Sequence, residues 1–182
     1  MEKFKKITEE NFDKFIDGNL DDWLSEKVQT FLIGSCSGNT TRIEESLIDC
    51  ESPIEQLLAI ELEDLGLIDM VLFNPFIDVI AIEKQETIVA KGNKYRVDFL
   101  IPVIYKNQEN VCFVIECDGY EFHQKTKKQV EKDNKRQRDL QEEGYEVIRF
   151  SGTEIYHRPW ECAKTIKNII LSRCKYIKDE QN

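Results

Sequence analysis

In one stretch of the chain, residues 111–124, an apolar segment is followed directly by charged residues. Residues 111–115 are apolar or β-branched, which is typical of a strand buried on both faces. Glu116 and Asp118 follow two residues apart, so in a strand both side chains point to the same face. Two carboxylates at the end of a buried strand are unfavourable unless something neutralises them. Carboxylate oxygens are the ligands that Mg²⁺ prefers, so the pattern indicates a divalent cation.

The preceding segment, residues 94–102, alternates like a strand and carries Asp98 in its middle. The polar residues 106–110 predict a hairpin that leads into residues 111–118. A hairpin centred on Asn107 places Asp98 opposite Glu116, and one centred on Gln108 places Asp98 opposite Asp118. A loop of even length would turn Asp98 to the other face. Like charges that lie opposite each other destabilise a sheet, so three carboxylates on one face again indicate a bound metal ion.

Length and composition predict one soluble domain with a helical extension. The chain has 182 residues, of which 41% are hydrophobic, and no apolar run approaches the roughly 18 residues of a membrane span. The first residues are charged and lead into acidic sequence, so we expect no signal peptide and a cytoplasmic protein with reduced thiols. The six cysteines form no C-x-x-C pair and there are two histidines, so the cysteines fit buried apolar positions better than a structural zinc site.

The charge is unevenly distributed along the chain. The net charge is −10, with −13 in residues 1–90 and +3 in residues 91–182. An acidic protein is a poor non-specific binder of nucleic acid, because affinity for phosphate comes mostly from lysine and arginine. The C-terminal half can still carry a basic working face. Its candidates lie on one predicted helix, where the alternatives are a solvated face and a face that contacts phosphate: Lys127, Lys128, Lys135 and Arg138.

Residues 1–50 are predicted as an N-terminal helical extension and residues 51–182 as the main domain. Aromatic and aliphatic residues in the first part recur at helical spacing, with a break at Gly18, which predicts two helices. These helices either pack on the main domain or form an arm that docks a protein partner. The main domain begins with a helix after Ser52, for which Pro53 suits the first turn and Gly66 the end. Glu55 would complete a capping box at its start.

The rest of the main domain alternates strands and helices. Residues 70–91 are rich in β-formers, and Gly92–Asn93 predicts a two-residue hairpin turn into the Asp98 strand. A basic helix over residues 125–140 ends at Gly144, a strand covers residues 145–150, and a last helix starts near Arg158. The order is helix, three antiparallel strands, helix, strand, helix. The strands on either side of the basic helix can pair in parallel, which predicts an α/β fold with a mixed sheet flanked by helices.

Several of these segments together resemble the PD-(D/E)xK nuclease superfamily. The likeness rests on Glu55 in the first helix, on Asp98 in the second strand and on Glu116-Cys-Asp118 in the third. The surrounding sequence is similar to the branch of very-short-patch-repair-like endonucleases, which includes small bacterial proteins of unassigned role. The residues that carry this closer likeness are Arg96-Val-Asp-Phe-Leu, Ile115-Glu-Cys-Asp-Gly-Tyr-Glu-Phe-His123, Asp133-Asn-Lys-Arg136 and Gly144-Tyr-Glu-Val-Ile-Arg-Phe150.

The resemblance covers about residues 52–170 and implies a restriction-endonuclease-like core that hydrolyses DNA phosphodiester bonds. It implies Mg²⁺, for which Mn²⁺ can substitute, and no small-molecule cofactor. Asp98 and Glu116 would ligate the cation together with the backbone carbonyl of Cys117, and Glu55 would hold the metal or a water. The implied activity is nicking or cleavage of DNA in repair or defence.

The chain departs from the superfamily at Asp118, which stands where the superfamily usually has a lysine. Asp118 cannot supply positive charge to the transition state, so His123 is the candidate for general acid or base, or for a phosphate donor. The alternative is that His123 is a hydrogen-bonded structural residue. The neighbouring Gln124 could orient water. By the same resemblance Asp133 and Arg136 belong to the signature, as an ion pair that braces the site.

Three hypotheses follow from different classes of protein. The first is an active Mg²⁺-dependent DNA endonuclease. The second is an inactive nuclease fold that binds nucleic acid or a protein partner. The third is a structural domain in which Asp98, Glu116 and Asp118 form ion pairs with arginines, for which the candidates are Arg96, Arg136 and Arg149.

Overall fold

The computed structural model describes residues 6–8, 47–67, 74–79, 81–106, 108–118 and 126–174. The predicted N-terminal helices lie almost wholly outside these described residues, as do His123, Gln124 and the predicted apolar segment that begins at Met70. No helix within the described residues is both long and apolar enough to cross a membrane. The proposed boundary near residue 50 stays a prediction.

Helices and strands alternate along the described chain. The helices are α1 (Pro53–Asp64), α2 (Lys127–Glu142), α3 (Gly152–His157) and α4 (Pro159–Ser172). The strands are β1 (Ile77–Val79), β2 (Glu83–Ala90), β3 (Asn93–Tyr105), β4 (Val111–Asp118) and β5 (Glu146–Ser151). The β-rich stretch before the hairpin thus divides into β1 and β2. The predicted order of helix, antiparallel strands, helix, strand and helix is confirmed.

The five strands form one mixed sheet with β3 at its centre. Both β1 and β2 pair antiparallel with one edge of β3, and β4 pairs antiparallel with the other edge. Strand β5 lies beyond β4 and runs parallel to it, so the chain between them crosses over through α2. The predicted mixed α/β fold is therefore confirmed, and β3 and β4 are held on both edges.

Helices cover both faces of this sheet. The larger apolar cluster joins α1, α3 and α4 to the sheet and includes Phe99 and Phe113, both fully buried. The smaller cluster joins Leu140 of α2 to Val114 and Val97. The last helix packs on the sheet through apolar residues of the larger cluster: Ala163, Ile166 and Ile170.

Helix α1 begins at the predicted cap but with a different bond pattern. The Ser52 hydroxyl accepts a hydrogen bond from the Glu55 N–H at 3.3 Å, and Pro53 occupies the first turn. The return bond of a capping box is absent from this described turn, because the Glu55 carboxylate accepts from the Glu51 N–H and the Ser52 hydroxyl. The predicted capping box is wrong in that respect. Gly66 has a φ of 58°, as the end of a helix favours.

The hairpin between β2 and β3 turns one residue earlier than predicted. Ala90 pairs with Asn93, so the turn residues are Lys91 and Gly92. Their φ angles are 48° and 75°, and two positive φ angles are what the favoured two-residue turn requires. The prediction of Gly92–Asn93 failed because lysine does not normally signal a left-handed conformation.

Helix α3 is an element that the sequence reasoning missed. Ser151 and Glu154 form a reciprocal capping box, in which the hydroxyl accepts from the Glu154 N–H and the carboxylate accepts from the Ser151 N–H. The spacing of serine and glutamate was the available signal, but it lies at the end of a strand.

A single glutamine on α1 anchors two distant segments of the chain. The Gln56 side chain is fully buried. Its oxygen accepts from the Ile7 N–H at 2.9 Å, and its amide donates to the Ile7 and Leu47 carbonyls, each at 2.8 Å. Ile7 and Leu47 belong to the larger apolar cluster. Residues 6–8 and 47–50 are therefore fastened to the same point on α1.

We expect Gln56→Leu to lower the free energy of unfolding by about 2 kcal/mol, because it removes the bonds to the N–H and carbonyl of Ile7 and one of the two bonds to the Leu47 carbonyl. Urea denaturation measures the loss. The control is Gln141→Leu on the exposed side of α2, which should change stability by less than about 0.5 kcal/mol. Equal stability of the two variants would show that this anchor does not persist in solution.

Candidate metal-dependent nuclease site

The predicted carboxylates meet where β3 and β4 separate. The last paired residues before this point are Phe99 and Ile115. Continuing the register by one residue places Asp98 opposite Glu116, which is the arrangement predicted for a hairpin centred on residue 107. The strands do not pair further, and the Asp98 carboxylate accepts a hydrogen bond from the Cys117 N–H at 2.6 Å. Asp98 thus takes the place of a backbone acceptor at the fork.

Glu55 reaches this fork from α1. Its side chain is buried and its carboxylate accepts three hydrogen bonds, from the Glu51 N–H, the Ser52 hydroxyl and the Gln85 amide. It also lies close enough to Asp98 that its charge raises the pKa of the Asp98 carboxyl. Glu55 therefore has a structural role at the start of the helix and an electrostatic coupling to the predicted site.

Two arginines contact the carboxylates from the other side. Arg136 on α2 donates to Glu116 at 2.6 Å and also to the carbonyl of Arg96. Arg149 on β5 binds both oxygens of Asp118, at 3.0 and 2.8 Å. Two of the three arginines named by the structural-domain hypothesis thus pair as that hypothesis expected. The third, Arg96, pairs instead with Glu51.

Burial raises the pKa of both carboxyl groups at the fork. The Asp98 pKa rises to about 6, chiefly through burial, while the Cys117 N–H opposes the rise and Glu55 adds to it. The Glu116 pKa rises to about 7, again chiefly through burial, with Arg136 opposing and Asp98 adding. A rise of this size means that the folded protein disfavours the ionised form of each carboxyl group by roughly 3 kcal/mol relative to the unfolded chain. The arginines therefore offset only part of the cost of these buried charges.

Gln85 joins the site although sequence reasoning did not identify it. It lies on β2 with a φ of 55°, and it is the one residue between Glu83 and Ala90 that is missing from the β2–β3 register. The register places it opposite Asp98, and its amide donates to Glu55 at 2.7 Å. A left-handed non-glycine residue costs about 1–2 kcal/mol, and such strain occurs often at functional sites. No pattern in the polar segment around it signals this conformation.

The residues on either side of Asp98 in β3 belong to different apolar clusters. Phe99 belongs to the cluster beneath α1, and Val97 belongs to the cluster beneath α2. The gap in the β2–β3 pairing at Gln85 and Asp98 therefore coincides with the change from one cluster to the other.

Several of the other predicted residues lie on β4, α2 and β5. Asp118, Asp133 and Arg149 line a cavity of about 390 Å³ beside α2, and the ion pair of Arg136 is with Glu116. The basic residues are exposed on α2, although Lys135 is engaged by Asp139. The Cys117 carbonyl as a metal ligand stays a prediction, and so do the roles of His123 and Gln124.

The donor atoms at the fork fit a hard divalent cation in their chemistry. The half-buried Asp98 and the buried Glu116, both with raised pKa values, and an amide oxygen of Gln85 are available. Mg²⁺ is commonly held by one or two carboxylates plus waters and substrate phosphates. Within the described residues, however, no three histidine, cysteine or acidic side chains are arranged to hold a metal ion. Glu116 is turned towards Arg136, so a cation at this fork would have to compete with the arginine for it.

The mixed sheet, the helices on both faces and the acidic fork between β3 and β4 together define a restriction-endonuclease-like fold. The sequence model of the family described as REase_MTES_1575 matches residues 79–170, which is just over half of the chain. The protein belongs to this restriction-endonuclease-like family. Searches of curated proteins and of solved structures found no match to the chain.

Proposed function

We propose that this protein is a Mg²⁺-dependent endonuclease that hydrolyses DNA phosphodiester bonds. The observation that carries the proposal is the pair of carboxyl groups at the fork, the half-buried Asp98 and the buried Glu116, whose pKa values are raised mainly by loss of solvent. Buried carboxylates with perturbed pKa values are more common at catalytic and metal sites than elsewhere. Membership of a restriction-endonuclease-like family supports the same reaction class.

Each side chain at the fork has a role in this proposal. Asp98 and Glu116 hold the divalent cation, for which Mn²⁺ can substitute, and the Cys117 carbonyl completes the protein ligands. A bound cation of this kind stabilises the negative charge that develops on the phosphate and favours ionisation of water. Glu55 orients the attacking water from α1.

Positive charge for the transition state must come from a residue other than Asp118. Arg149 neutralises Asp118 with two hydrogen bonds, so the position of the usual lysine contributes an ion pair without net charge. Arg136 is the nearest described candidate, because it already contacts Glu116 and is partly exposed. His123 is proposed as the general acid or base, with Gln124 beside it.

The finer assignment also belongs to this proposal. The motifs around Asp98, Glu116 and Arg149 support placement in the very-short-patch-repair-like branch, with a role in DNA repair or defence in the cytoplasm. The exposed basic residues of α2 lie on the same helix as Arg136, which contacts Glu116 at the fork.

The test of activity is a nicking assay on supercoiled plasmid. We expect open-circular DNA in Mg²⁺ or Mn²⁺ and none in EDTA. Single-stranded and double-stranded RNA are added as competing substrates in the same assay, and we expect DNA to be cut in preference to both. Intact plasmid in both cations would count against the enzyme assignment.

An inactive nuclease fold that binds nucleic acid or a protein partner is the second candidate. It is favoured by the ion pairs of Arg136 with Glu116 and of Arg149 with Asp118, which occupy two of the three carboxylates. DNA binding without nicking in either cation would support this candidate.

We expect the exposed bases of α2 to carry most of the DNA affinity. The variant in which Lys127, Lys128 and Arg138 are replaced by glutamate should bind a 20-base-pair duplex at least tenfold more weakly, measured by fluorescence anisotropy. The slope of log affinity against log salt should also fall by up to about 3, since each lost phosphate contact removes about one. Lys135 should contribute less, because Asp139 engages it.

The control carries the same change in net charge at exposed lysines elsewhere, with glutamate at Lys94, Lys106 and Lys164. If both variants lose affinity equally, the effect is one of net charge and DNA does not approach along α2.

A further inference from the structure

The side-chain amide of Gln85 is fixed in one orientation by its neighbour. Its nitrogen lies 2.7 Å from a Glu55 oxygen. The Glu55 carboxylate already accepts hydrogen bonds from the Glu51 N–H and the Ser52 hydroxyl. The Gln85 atom that faces this acceptor must therefore be the amide nitrogen, which donates. The amide oxygen of Gln85 therefore points away from Glu55.

That amide oxygen is buried and has no hydrogen-bond partner within the described part of the chain. Buried polar atoms are nearly always satisfied, so one left open beside a cluster of acids needs an explanation. The register places Gln85 opposite Asp98, and its amide nitrogen bonds to Glu55; both of these carboxylates accept rather than donate when ionised. Water, a protonated carboxyl group or a cation can each satisfy such an oxygen, and of these a cation also offsets the negative charge of the carboxylates around it.

The backbone around Gln85 indicates that this placement is specific. Gln85 has a φ of 55° while residues on both sides of it keep the register with β3. The distortion is confined to the residue opposite Asp98. A regular strand would continue the β2–β3 pairing through this position. The fold therefore keeps a left-handed residue at the one place where the amide lies opposite Asp98 and contacts Glu55.

We propose that Gln85 supplies its amide oxygen to the coordination shell of the divalent cation that Asp98 and Glu116 hold, while its amide nitrogen positions Glu55. This inference rests on the proposed function, because it needs a cation at the fork. It assigns a ligating and positioning role to a strand residue for which the sequence carries no motif. The amide also brings an oxygen ligand to the cation without adding a fourth negative charge to Glu55, Asp98 and Glu116.

The test is Mn²⁺ affinity without DNA, measured by electron paramagnetic resonance of free Mn²⁺ and by calorimetry. Gln85→Leu should weaken binding about tenfold or more, as loss of supporting groups at metal sites commonly does. Thr87→Leu, at an exposed position of the same strand, should bind as wild type does. An unchanged affinity in Gln85→Leu overturns the inference.

Gln85→Glu separates the two roles of the amide. It keeps an oxygen for the cation but loses the donor to Glu55, so a ligand at position 85 predicts Mn²⁺ affinity equal to or above that of wild type. A residue that acts only by holding Glu55 predicts weaker binding in both Gln85→Glu and Gln85→Leu, and that result overturns the ligating role.

Three further outcomes are decisive. If Gln85→Leu does not fold, Gln85→Asn replaces it, because asparagine tolerates positive φ and its shorter amide should bind Mn²⁺ more weakly than wild type. Unchanged affinity in that variant overturns the inference. If wild type binds no Mn²⁺, the proposed metal site itself fails. If Asp98→Ala abolishes binding while the Gln85 variants keep it, only the inference about Gln85 fails.

Discussion

Asp98→Ala and Glu116→Ala should each reduce the rate of plasmid nicking by roughly a hundred- to a thousandfold, the range seen when one group that stabilises transition-state charge is removed. Both carboxylates lie at the point where β3 and β4 separate, and each would lose a ligand of the same cation. Rates are measured from the appearance of open-circular DNA under single-turnover conditions in Mg²⁺ and Mn²⁺.

The matched control for this loss is Asp78→Ala. Asp78 is an exposed carboxylate on β1, opposite Ile104 near the other end of β3, and its replacement should leave the rate unchanged. Wild-type rates in either Asp98→Ala or Glu116→Ala would remove the proposed site.

Glu55→Gln tests the two roles of the helix carboxylate in the same assay. The change places a donor against the groups that now donate to it, so some loss of stability is expected. If activity per folded molecule is unchanged and only stability falls, Glu55 serves the start of α1 alone.

Asp98→Asn should stabilise the metal-free protein at pH 7.5 by about 2 kcal/mol, which raises the melting temperature by roughly 4–8 °C for a chain of this length. Asparagine keeps an oxygen for the Cys117 N–H and removes a buried charge. The Asp98 carboxyl has a pKa of about 6 in place of 3.8, so its ionisation opposes folding at neutral pH.

The raised pKa values of Asp98 and Glu116 determine how the stability of the metal-free protein changes with pH. Asp98 and Glu116 favour folding fully below about pH 4, and that contribution is lost as the pH rises through 6 and 7, where the folded carboxyls ionise. Metal-free wild type should therefore lose stability across this window, and Asp98→Asn should lose less. Melting curves from pH 4 to pH 8 in EDTA measure the difference.

Cation binding should make wild type more stable than Asp98→Asn, the reverse of the order without metal. Mn²⁺ at one hundred times its dissociation constant should stabilise wild type by about 2.7 kcal/mol, and Asp98→Asn should lose most of this gain. Asp78→Asn is the control and should respond as wild type does. If wild type shows no shift, or Asp98→Asn shows an equal one, the carboxylates do not hold the metal and the structural-domain hypothesis is favoured.

The sequence predicted the parts of the site that depend on strand alternation. The hydrophobic run before Glu116 and the polar hairpin left Asp98 opposite Glu116 or opposite Asp118 if the loop length was odd, and the structure has the register centred on residue 107. The helix that carries Glu55 was also predicted, because the residues that cap it act on the neighbouring backbone and are visible in the local sequence. The mixed sheet followed from the order of these elements.

The features that the sequence did not predict depend on contacts between distant residues. The left-handed Gln85 and the guanidinium of Arg136 on Glu116 reflect what surrounds them in the fold, and neither has a local pattern. Lys91 in the hairpin turn is a smaller case, because the strands on both sides impose the positive φ.

The anchoring of two segments on Gln56 has a consequence for how the chain can vary among relatives. Residues 9–46 are joined to the rest of the protein at Ile7 and Leu47, and both of these residues hydrogen-bond to the same buried side chain. The entropy of closing such a connection changes only with the logarithm of its length. Insertions and deletions between these two points therefore alter the closing entropy of that connection only slightly.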